Sequence, residues 1–156
     1  LSEDNPDMNI GAGTVCTMTD LKKALDAGAS FIVTPILDTA VVIYCKEHRI
    51  PIFPGAYTPL EIYTADKLGA TAVKIFPATQ LGAGYIQEVL APLSHLKLLP
   101  TGGVSVENIA SFFKSGAVGV GMGGALFDKT LIANEDYDGL YRHFKVIAEK
   151  VNNARP

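Results

Sequence analysis

Hydrophobic and polar positions divide this chain into two alternating kinds of segment. Short apolar runs, rich in small and β-branched residues, begin about 20 to 25 residues apart, and each has Gly, Pro or Thr near its end. The pattern predicts six β-strands, in the segments NIGAGTV from Asn9, FIVTP from Phe31, PIFPGA from Pro51, AVKIFPA from Ala72, LKLLPTGGV from Leu96 and VGVGMGGA from Val118.

The segments between these runs have helical signals. Thr58, Pro59 and Glu61 combine an N-cap threonine, a proline in the first helical turn and the glutamate of a capping box. A Gly-Ala pair stands just before three of the strands, where a glycine is expected to end a helix. Apolar residues recur at helical spacing at Leu21, Ala24 and Leu25, at Ile109, Phe112 and Phe113, and at Leu140, Phe144, Ile147 and Val151, and the Gly-Ala pairs begin at Gly28, Gly69 and Gly116.

Continuous apolar strands that alternate with amphipathic helices predict an α/β protein with a parallel sheet covered by helices. A doubly wound sheet would have one Gly-rich loop after its first strand, whereas here every strand ends in small or hydroxyl residues. That distribution favours a (β/α)₈ TIM barrel, with its βα loops around one mouth. Only six of the eight units are present, and residues 1–11 look like the polar end of an αβ loop. We therefore expect a single domain over residues 1–156, the C-terminal three quarters of a barrel.

Composition narrows the functional class. Hydrophobic residues make up 48% of the chain, its net charge is -3, and it has neither tryptophan nor a Lys/Arg cluster. These values do not suggest a nucleic-acid or membrane partner. The two cysteines, Cys16 and Cys45, lack CxxC spacing, and no apolar run approaches the ~18 residues of a membrane helix. With no signal peptide visible, we expect a soluble, cytoplasmic protein with reduced thiols.

Lys74 interrupts the apolar run AVKIFPA. Side chains alternate across a strand, so Lys74 faces the side opposite Val73 and Ile75, which is the barrel interior if the branched residues pack on the helices. A carboxylate on a neighbouring strand could neutralise it, but none of the six strand runs contains Asp or Glu. Desolvation should lower the lysine pKa and make its amine a nucleophile toward ketones. The residues alone leave open a buried salt bridge and a Schiff-base nucleophile.

Two glycine clusters suggest an anion site. PTGGV from Pro100 and GMGGAL from Gly121 end the last two strands. Barrels often bind phosphate there, through backbone N–H groups and the start of a short helix. The alternative reading is two tight turns that need a positive φ.

Other polar residues carry weaker signals. His48, His95 and His143 are expected at helix ends or in loops, far from the barrel mouth, so we predict no metal site and no metal-dependent chemistry. Threonines at strand ends could hydrogen-bond a carboxylate or hydroxyl, or could cap turns. They are Thr14, Thr34, Thr79 and Thr101.

The segments IGAGTV, FIVTP, IPIFPGAYTPLE, GATAVKIFPA, PTGGVSVENI and GMGGALF, in this order and spacing, resemble the 2-keto-3-deoxy-6-phosphogluconate (KDPG) and 4-hydroxy-2-oxoglutarate (KHG) aldolases. The resemblance covers essentially the whole chain. It implies a class I aldolase on a (β/α)₈ barrel, usually a homotrimer, without a cofactor. Such an enzyme splits KDPG into pyruvate and glyceraldehyde 3-phosphate, and KHG into pyruvate and glyoxylate.

The resemblance also implies roles for individual residues. Lys74 would form the Schiff base, Phe76 would pack on the pyruvyl group with Pro35 nearby, Thr14 would bind the pyruvate carboxylate, and Thr101 would contact substrate hydroxyls. The phosphate would be held by residues of the two glycine clusters, namely Gly102, Gly103, Gly123, Gly124 and Ala125.

The chain departs from the family pattern in two places. The family's general-base glutamate and a nearby substrate-binding arginine lie on the second strand, which this chain lacks, so its proton-transfer group is expected outside these 156 residues. Ala125 stands where many relatives have a serine that contacts the sugar end of the substrate. The galactonate analogue or KHG could therefore be handled comparably to KDPG.

Two other functions remain open from the sequence. A phosphate-binding barrel isomerase or synthase would share the glycine loops and use Lys74 as an acid or electrostatic group. A truncated, non-catalytic barrel could instead serve as a binding module, with a partner chain covering its unpaired strand edge.

Overall fold

The computed structural model describes residues 6–155, so the predicted loop at residues 1–11 lies partly outside the described residues. The chain forms two compact units, of which the first ends at Ile75 and the second begins at Phe76. A single domain over residues 1–156 stays a prediction.

The first unit alternates helices with short parallel strands. Strand β1 pairs with β2 in parallel, with Ile32 opposite Ile52, and β3 pairs with β4 in parallel, with Gly55 opposite Lys74. The sequence around residue 12 extends this arrangement, because Ala12 forms a parallel bridge with Ile32. The elements are α1 (Met18–Asp26), β1 (Ile32–Val33), α2 (Thr39–Glu47), β2 (Ile52–Phe53), β3 (Gly55–Ala56), α3 (Pro59–Leu68) and β4 (Val73–Ile75).

The second unit is mostly helical. A parallel bridge between Thr101 and Gly121 connects the end of its strand to the last glycine cluster. Its elements are α4 (Ala78–Leu90), β5 (Leu98–Pro100), α5 (Ile109–Lys114), α6 (Lys129–Ala133) and α7 (Tyr137–Ala154). Helix α4 is interrupted at Gly82, whose φ of 68° and ψ of -178° are not helical.

The helix boundaries follow the predicted capping signals. Thr58 Oγ1 accepts the N–H of Glu61, and the Glu61 carboxylate accepts the N–H of Thr58, which together form a capping box at the start of α3. Gly69 ends α3 with a left-handed φ of 100°. Gly28 and Gly116 also have positive φ values just after α1 and α5. The three glycine stop signals are therefore confirmed.

Each unit has apolar residues that are fully enclosed. In the first unit, a cluster of seven buried residues joins both strands of the β1–β2 pair to the first two helices. Its members are Val15, Leu21, Ile32, Val41, Val42, Cys45 and Ile52. The buried residues of the second unit include Ile86, Leu98, Ile109, Phe112, Phe113 and Ile147.

The strands are shorter than the apolar runs that predicted them. Pro54 divides the third run into β2 and β3, because proline has no N–H to donate to a neighbouring strand. The first and last runs form isolated bridges, and both are rich in glycine. Within residues 6–155, the paired strands do not close into a barrel. What the structure supports is an α/β fold built of parallel strands and helices.

Candidate active site

Lys74 is buried in the middle of β4. Its side chain is 8% exposed, and the flanking Val73 and Ile75 are buried as well. Its backbone N–H donates to the Pro54 carbonyl at 2.9 Å, which fixes the strand beside β3. Removal of water lowers the pKa of the Lys74 amine below its ordinary value of 10.5. Burial and the direction of the pKa change agree with the sequence-based expectation.

Gly55, the register partner of Lys74, lies against the backbone of Pro35. A Cβ atom added at Gly55 would lie 2.3 Å from the Pro35 carbonyl oxygen, so no larger residue fits without movement of the chain. Pro35 itself is half-buried. The close approach of two strand ends beside Lys74 therefore depends on a glycine.

Thr34 has a structural role in the same region. It is 1% exposed, its hydroxyl donates to the Ile36 carbonyl, and its Oγ1 accepts the N–H of Gly55 at 3.3 Å. The Thr34 hydroxyl is thus a hydrogen-bond partner for two backbone groups, the Ile36 carbonyl in the turn after β1 and the Gly55 N–H in β3. This geometry supports the turn-capping reading of Thr34 over the ligand-binding one.

Thr14 has a strained backbone. Its φ is 60°, which is unusual for a β-branched residue, and its side chain is exposed. The next residue, Val15, is buried and donates its N–H to the Val33 carbonyl at 3.4 Å. Cys16 Sγ donates to the Thr14 carbonyl at 3.6 Å. Strained residues of this kind concentrate at functional sites, which supports the predicted ligand-binding role of Thr14.

The lowered pKa of Lys74 gives a testable pH dependence of stability. The folded protein binds the Lys74 proton less tightly than the unfolded chain, so the unfolded state binds more protons between the lowered pKa and 10.5. Stability in that window rises with pH. We expect the wild type to gain free energy of unfolding relative to a Lys74→Met variant between about pH 7 and about pH 10. Urea unfolding at both pH values measures this, and a constant or opposite difference would contradict it.

The second unit brings together Phe76, Thr101 and the first glycine cluster. The ring of Phe76 is 36% exposed and would lie 3.7 Å from a Cβ atom at Gly102. The Thr101 carbonyl accepts the N–H of Ala78 at 2.9 Å, and its hydroxyl donates to the Leu99 carbonyl at 3.3 Å. The loop after β5 is thereby fixed at the beginning of α4.

Gly102 and Gly103 both have left-handed φ values, 88° and 72°. A Cβ atom at Gly103 would also lie 2.6 Å from the hydroxyl oxygen of Thr79, in the first turn of α4. The Asn108 side chain donates to the Gly103 carbonyl at 2.8 Å. The positive φ values predicted for a tight turn are therefore confirmed in this cluster. A role for it in phosphate binding stays a prediction.

The second glycine cluster has a different structure. Gly123 begins a turn in which its carbonyl accepts the N–H of Leu126 at 2.9 Å. Gly123 and Gly124 do not have left-handed φ values, and a Cβ atom at either would meet nothing within 4 Å. Neither backbone conformation nor packing among residues 6–155 requires glycine here. An exposed turn without side chains is suited to the close approach of a ligand.

The predicted position of His143 was wrong. His143 lies inside α7 rather than at a helix end or in a loop, and its Nε2 lies 3.0 Å from the carbonyl oxygen of Ala125. It is therefore in contact with the predicted phosphate loop. Its spacing from Leu140 and Ile147, three and four residues away, places it beside the apolar stripe of the helix, a signal that could have located it. His48 ends α2, and His95 lies in the turn before β5, as expected.

Comparison with known proteins identifies the family. A family model described as KDPG and KHG aldolase matches residues 1–143. The chain belongs to the KDPG and KHG aldolase family. The resemblance inferred from the strand-end motifs is thereby confirmed.

Two curated relatives illustrate the range within this family. A 2-dehydro-3-deoxy-phosphogluconate aldolase of Haemophilus influenzae is 37% identical over 144 residues, covering 91% of this chain and 68% of the relative. A 2-dehydro-3-deoxy-6-phosphogalactonate aldolase of Escherichia coli is 35% identical over 119 residues, covering 76% of this chain and 58% of the relative. Family membership therefore does not choose between gluconate and galactonate substrates.

A solved KDPG aldolase supports the fold assignment. The crystal structure of the Legionella pneumophila enzyme, described with pyruvate captured at low pH as a covalent carbinolamine intermediate, matches with a TM-score of 0.78 at 25% identity. The match covers 100% of this chain and 73% of that one. Curated relatives likewise extend beyond the match, which spans 51 to 72% of their length. The α/β fold thus matches the family's TIM-barrel structures over part of their length.

Three further observations concern the cysteines, metal ligation and membrane crossing. Both cysteines are free, and burial raises the pKa of the Cys45 thiol to about 11. Across residues 6–155 there is no group of three His, Cys, Asp or Glu side chains arranged to hold a metal ion. No helix within the same range has the length and apolar character to cross a membrane.

Proposed function

We propose that the intact protein is a class I, Schiff-base aldolase that cleaves KDPG to pyruvate and glyceraldehyde 3-phosphate. The observation that carries the proposal is a buried lysine with a lowered pKa, in the middle of the strand that bears the family's KIFPA motif. A neutral amine is required for attack on a ketone, and burial increases the fraction of that form at neutral pH.

The reaction follows from this amine. Lys74 Nζ attacks the C2 carbonyl of the keto acid, water leaves, and an iminium forms. The iminium withdraws electrons from the bond between C3 and C4, and the C4 hydroxyl loses its proton to a general base. Glyceraldehyde 3-phosphate departs, and the enamine left on Lys74 is protonated at C3. Hydrolysis then releases pyruvate and restores the amine.

Residues of the first unit would bind the pyruvate end. Thr14 would bind the carboxylate, with Pro35 near the pyruvyl carbons, in keeping with the family motif and with the strained φ of Thr14. The family resemblance implies a general-base glutamate on a strand that residues 1–156 do not include, so the proposal is made for the intact protein.

The remaining proposed roles belong to Phe76, Thr101 and the two glycine clusters. Phe76 would pack on the pyruvyl group, and Thr101 would contact the hydroxyls. Backbone groups of the two glycine clusters would hold the phosphate: Gly102, Gly103, Gly123, Gly124 and Ala125. Among the described residues, the N–H groups of Gly124 and Ala125 donate to no protein acceptor, which leaves them available to an anion.

Pyruvate release from KDPG tests the proposal. The intact protein is incubated with KDPG, the galactonate isomer and KHG in parallel, and pyruvate is measured with lactate dehydrogenase and NADH. We expect release from KDPG, and the ranking of the other two substrates shows what Ala125 does in place of serine. No release from any of the three would overturn the proposal. Subunit association as a homotrimer, implied by the family, is a separate prediction that sedimentation would check.

A further inference from the structure

We infer that His143 is a positioning residue for the phosphate turn, by which we mean residues 123–126. The inference rests on the proposed function, because it concerns the part of the site that would hold the phosphate. His143 would touch no substrate atom. It would act by fixing one peptide group of the turn.

The turn needs an outside anchor because its own residues supply few restraints. Gly123 and Gly124 have no side chains, and Ala125 has a single methyl group. Glycine in open space has wide conformational freedom, so a turn built from it can reorient its peptide groups at little cost. A phosphate site needs the opposite, with N–H groups held in one orientation.

His143 supplies such an anchor. Its Nε2 lies 3.0 Å from the Ala125 carbonyl oxygen, 18 residues away along the chain. A carbonyl can only accept, so this hydrogen bond requires Nε2 to carry the hydrogen. The peptide between Ala125 and Leu126 is then held at both ends, because its N–H also donates to the Gly123 carbonyl at 2.9 Å. Rotation that would turn the Ala125 oxygen toward a bound anion is thereby blocked.

The helix that carries His143 is itself firmly held. Helix α7 spans 18 residues, its N-cap Asp136 accepts the N–H of Gly139 at 2.8 Å, and Ile147 is buried. The adjacent Phe144 packs edge-to-face on Phe127, with ring centroids 5.8 Å apart. The turn is therefore fastened to α7 by a polar contact and, one residue beyond its end, by an aromatic one.

Asp128 completes the anchored segment. Its carboxylate caps α6 by accepting the N–H groups of Leu131 and Thr130, which lower its pKa, and the nearby His143 contributes in the same direction. The Asp128 carboxylate is thus engaged as the N-cap of α6.

The inference predicts an effect that depends on phosphate. Loss of the Ala125 contact should weaken binding of phosphorylated ligands, while pyruvate, which has no phosphate, should still react with Lys74. A merely structural role of His143 would impair both.

Three variants separate these cases. His143→Phe keeps a ring without the donor, His143→Gln keeps a donor near the Nε2 position, and His48→Phe removes a histidine whose Nδ1 instead contacts Tyr44 of its own helix.

The experiment titrates glycerol 3-phosphate into each intact protein by calorimetry at one pH. We expect the Kd to rise about 10-fold in His143→Phe, to return to within about 3-fold of wild type in His143→Gln, and to stay unchanged in His48→Phe. In the wild type, the amide signals of Gly124 and Ala125 should shift on titration in ¹H–¹⁵N spectra, which tests the site even if His143→Phe fails to fold.

Two results would overturn the inference. One is a wild-type Kd in a folded His143→Phe variant, and the other is no glycerol 3-phosphate binding, or no shift of those amides, in the wild type. Trapping with pyruvate and borohydride on the same samples distinguishes a failure of the aldolase proposal from a failure of the proposed role of His143. Failed trapping in the wild type removes the aldolase proposal whatever the phosphate titration shows, whereas intact trapping with a normal Kd in His143→Phe removes only the role of His143.

Discussion

Replacing Lys74 with methionine is expected to abolish pyruvate release from KDPG, lowering kcat by about 10⁴-fold or more. Methionine has a similar length and suits a buried position, but it has no amine to form the iminium. Without that iminium, the bond between C3 and C4 has no electron sink. The rate is measured by the coupled lactate dehydrogenase assay at saturating substrate.

The matched control for this variant is Lys97→Met. Lys97 precedes β5 directly and is exposed, whereas Lys74 lies within β4 and is buried. Both substitutions replace a lysine amine with a thioether side chain of similar length. We expect Lys97→Met to retain wild-type kcat within about 2-fold, as is usual for surface substitutions. Substantial residual pyruvate release in a folded Lys74→Met variant would contradict the role of Lys74 as the nucleophile.

Replacing Gly55 with alanine is expected to produce the largest loss of stability, about 3 kcal/mol in the free energy of unfolding. The added methyl group would lie 2.3 Å from the oxygen and 2.4 Å from the carbon of the Pro35 carbonyl. These are backbone atoms, so they cannot move aside as the end of a flexible side chain could. The strand ends must separate, and the hydrogen bond from the Gly55 N–H to Thr34 would be strained with them.

Gly84→Ala is the control for this prediction. Gly84 lies in α4, and a Cβ atom there meets nothing within 4 Å. Because alanine has a higher helix propensity than glycine, this variant should gain roughly 0.5–1 kcal/mol. Urea unfolding of both variants gives the comparison. Equal stability of Gly55→Ala and wild type would contradict the close approach of Gly55 to Pro35.

Local signals predicted the helices well because capping depends on neighbouring residues. At the start of α3, Thr58 and Glu61 form the capping hydrogen bonds with each other, and Gly69 ends the helix through its own φ value. Strand lengths were less predictable. A strand exists only where a neighbour accepts its hydrogen bonds, and apolarity alone did not show that Pro54 would divide one run or that the first and last runs would form single bridges.

The candidate site was predictable to a similar degree. A lysine among apolar strand residues was enough to predict burial and a lowered pKa, because both depend on the local surroundings. The contact from His143 to Ala125 joins residues that are 18 positions apart in the chain, so no local sequence motif predicts it. The two glycine clusters also look alike in sequence. Only the backbone shows that Gly102 and Gly103 need positive φ values and that Gly123 and Gly124 do not.

The most direct test of the central claim is to trap the Schiff base. The intact protein is incubated with pyruvate and sodium borohydride, digested, and mapped by mass spectrometry. The proposed mechanism predicts one stable pyruvyl adduct, located on Lys74 and lost in Lys74→Met. Absence of an adduct, or an adduct on a different lysine, would contradict the assignment of Lys74 as the nucleophile.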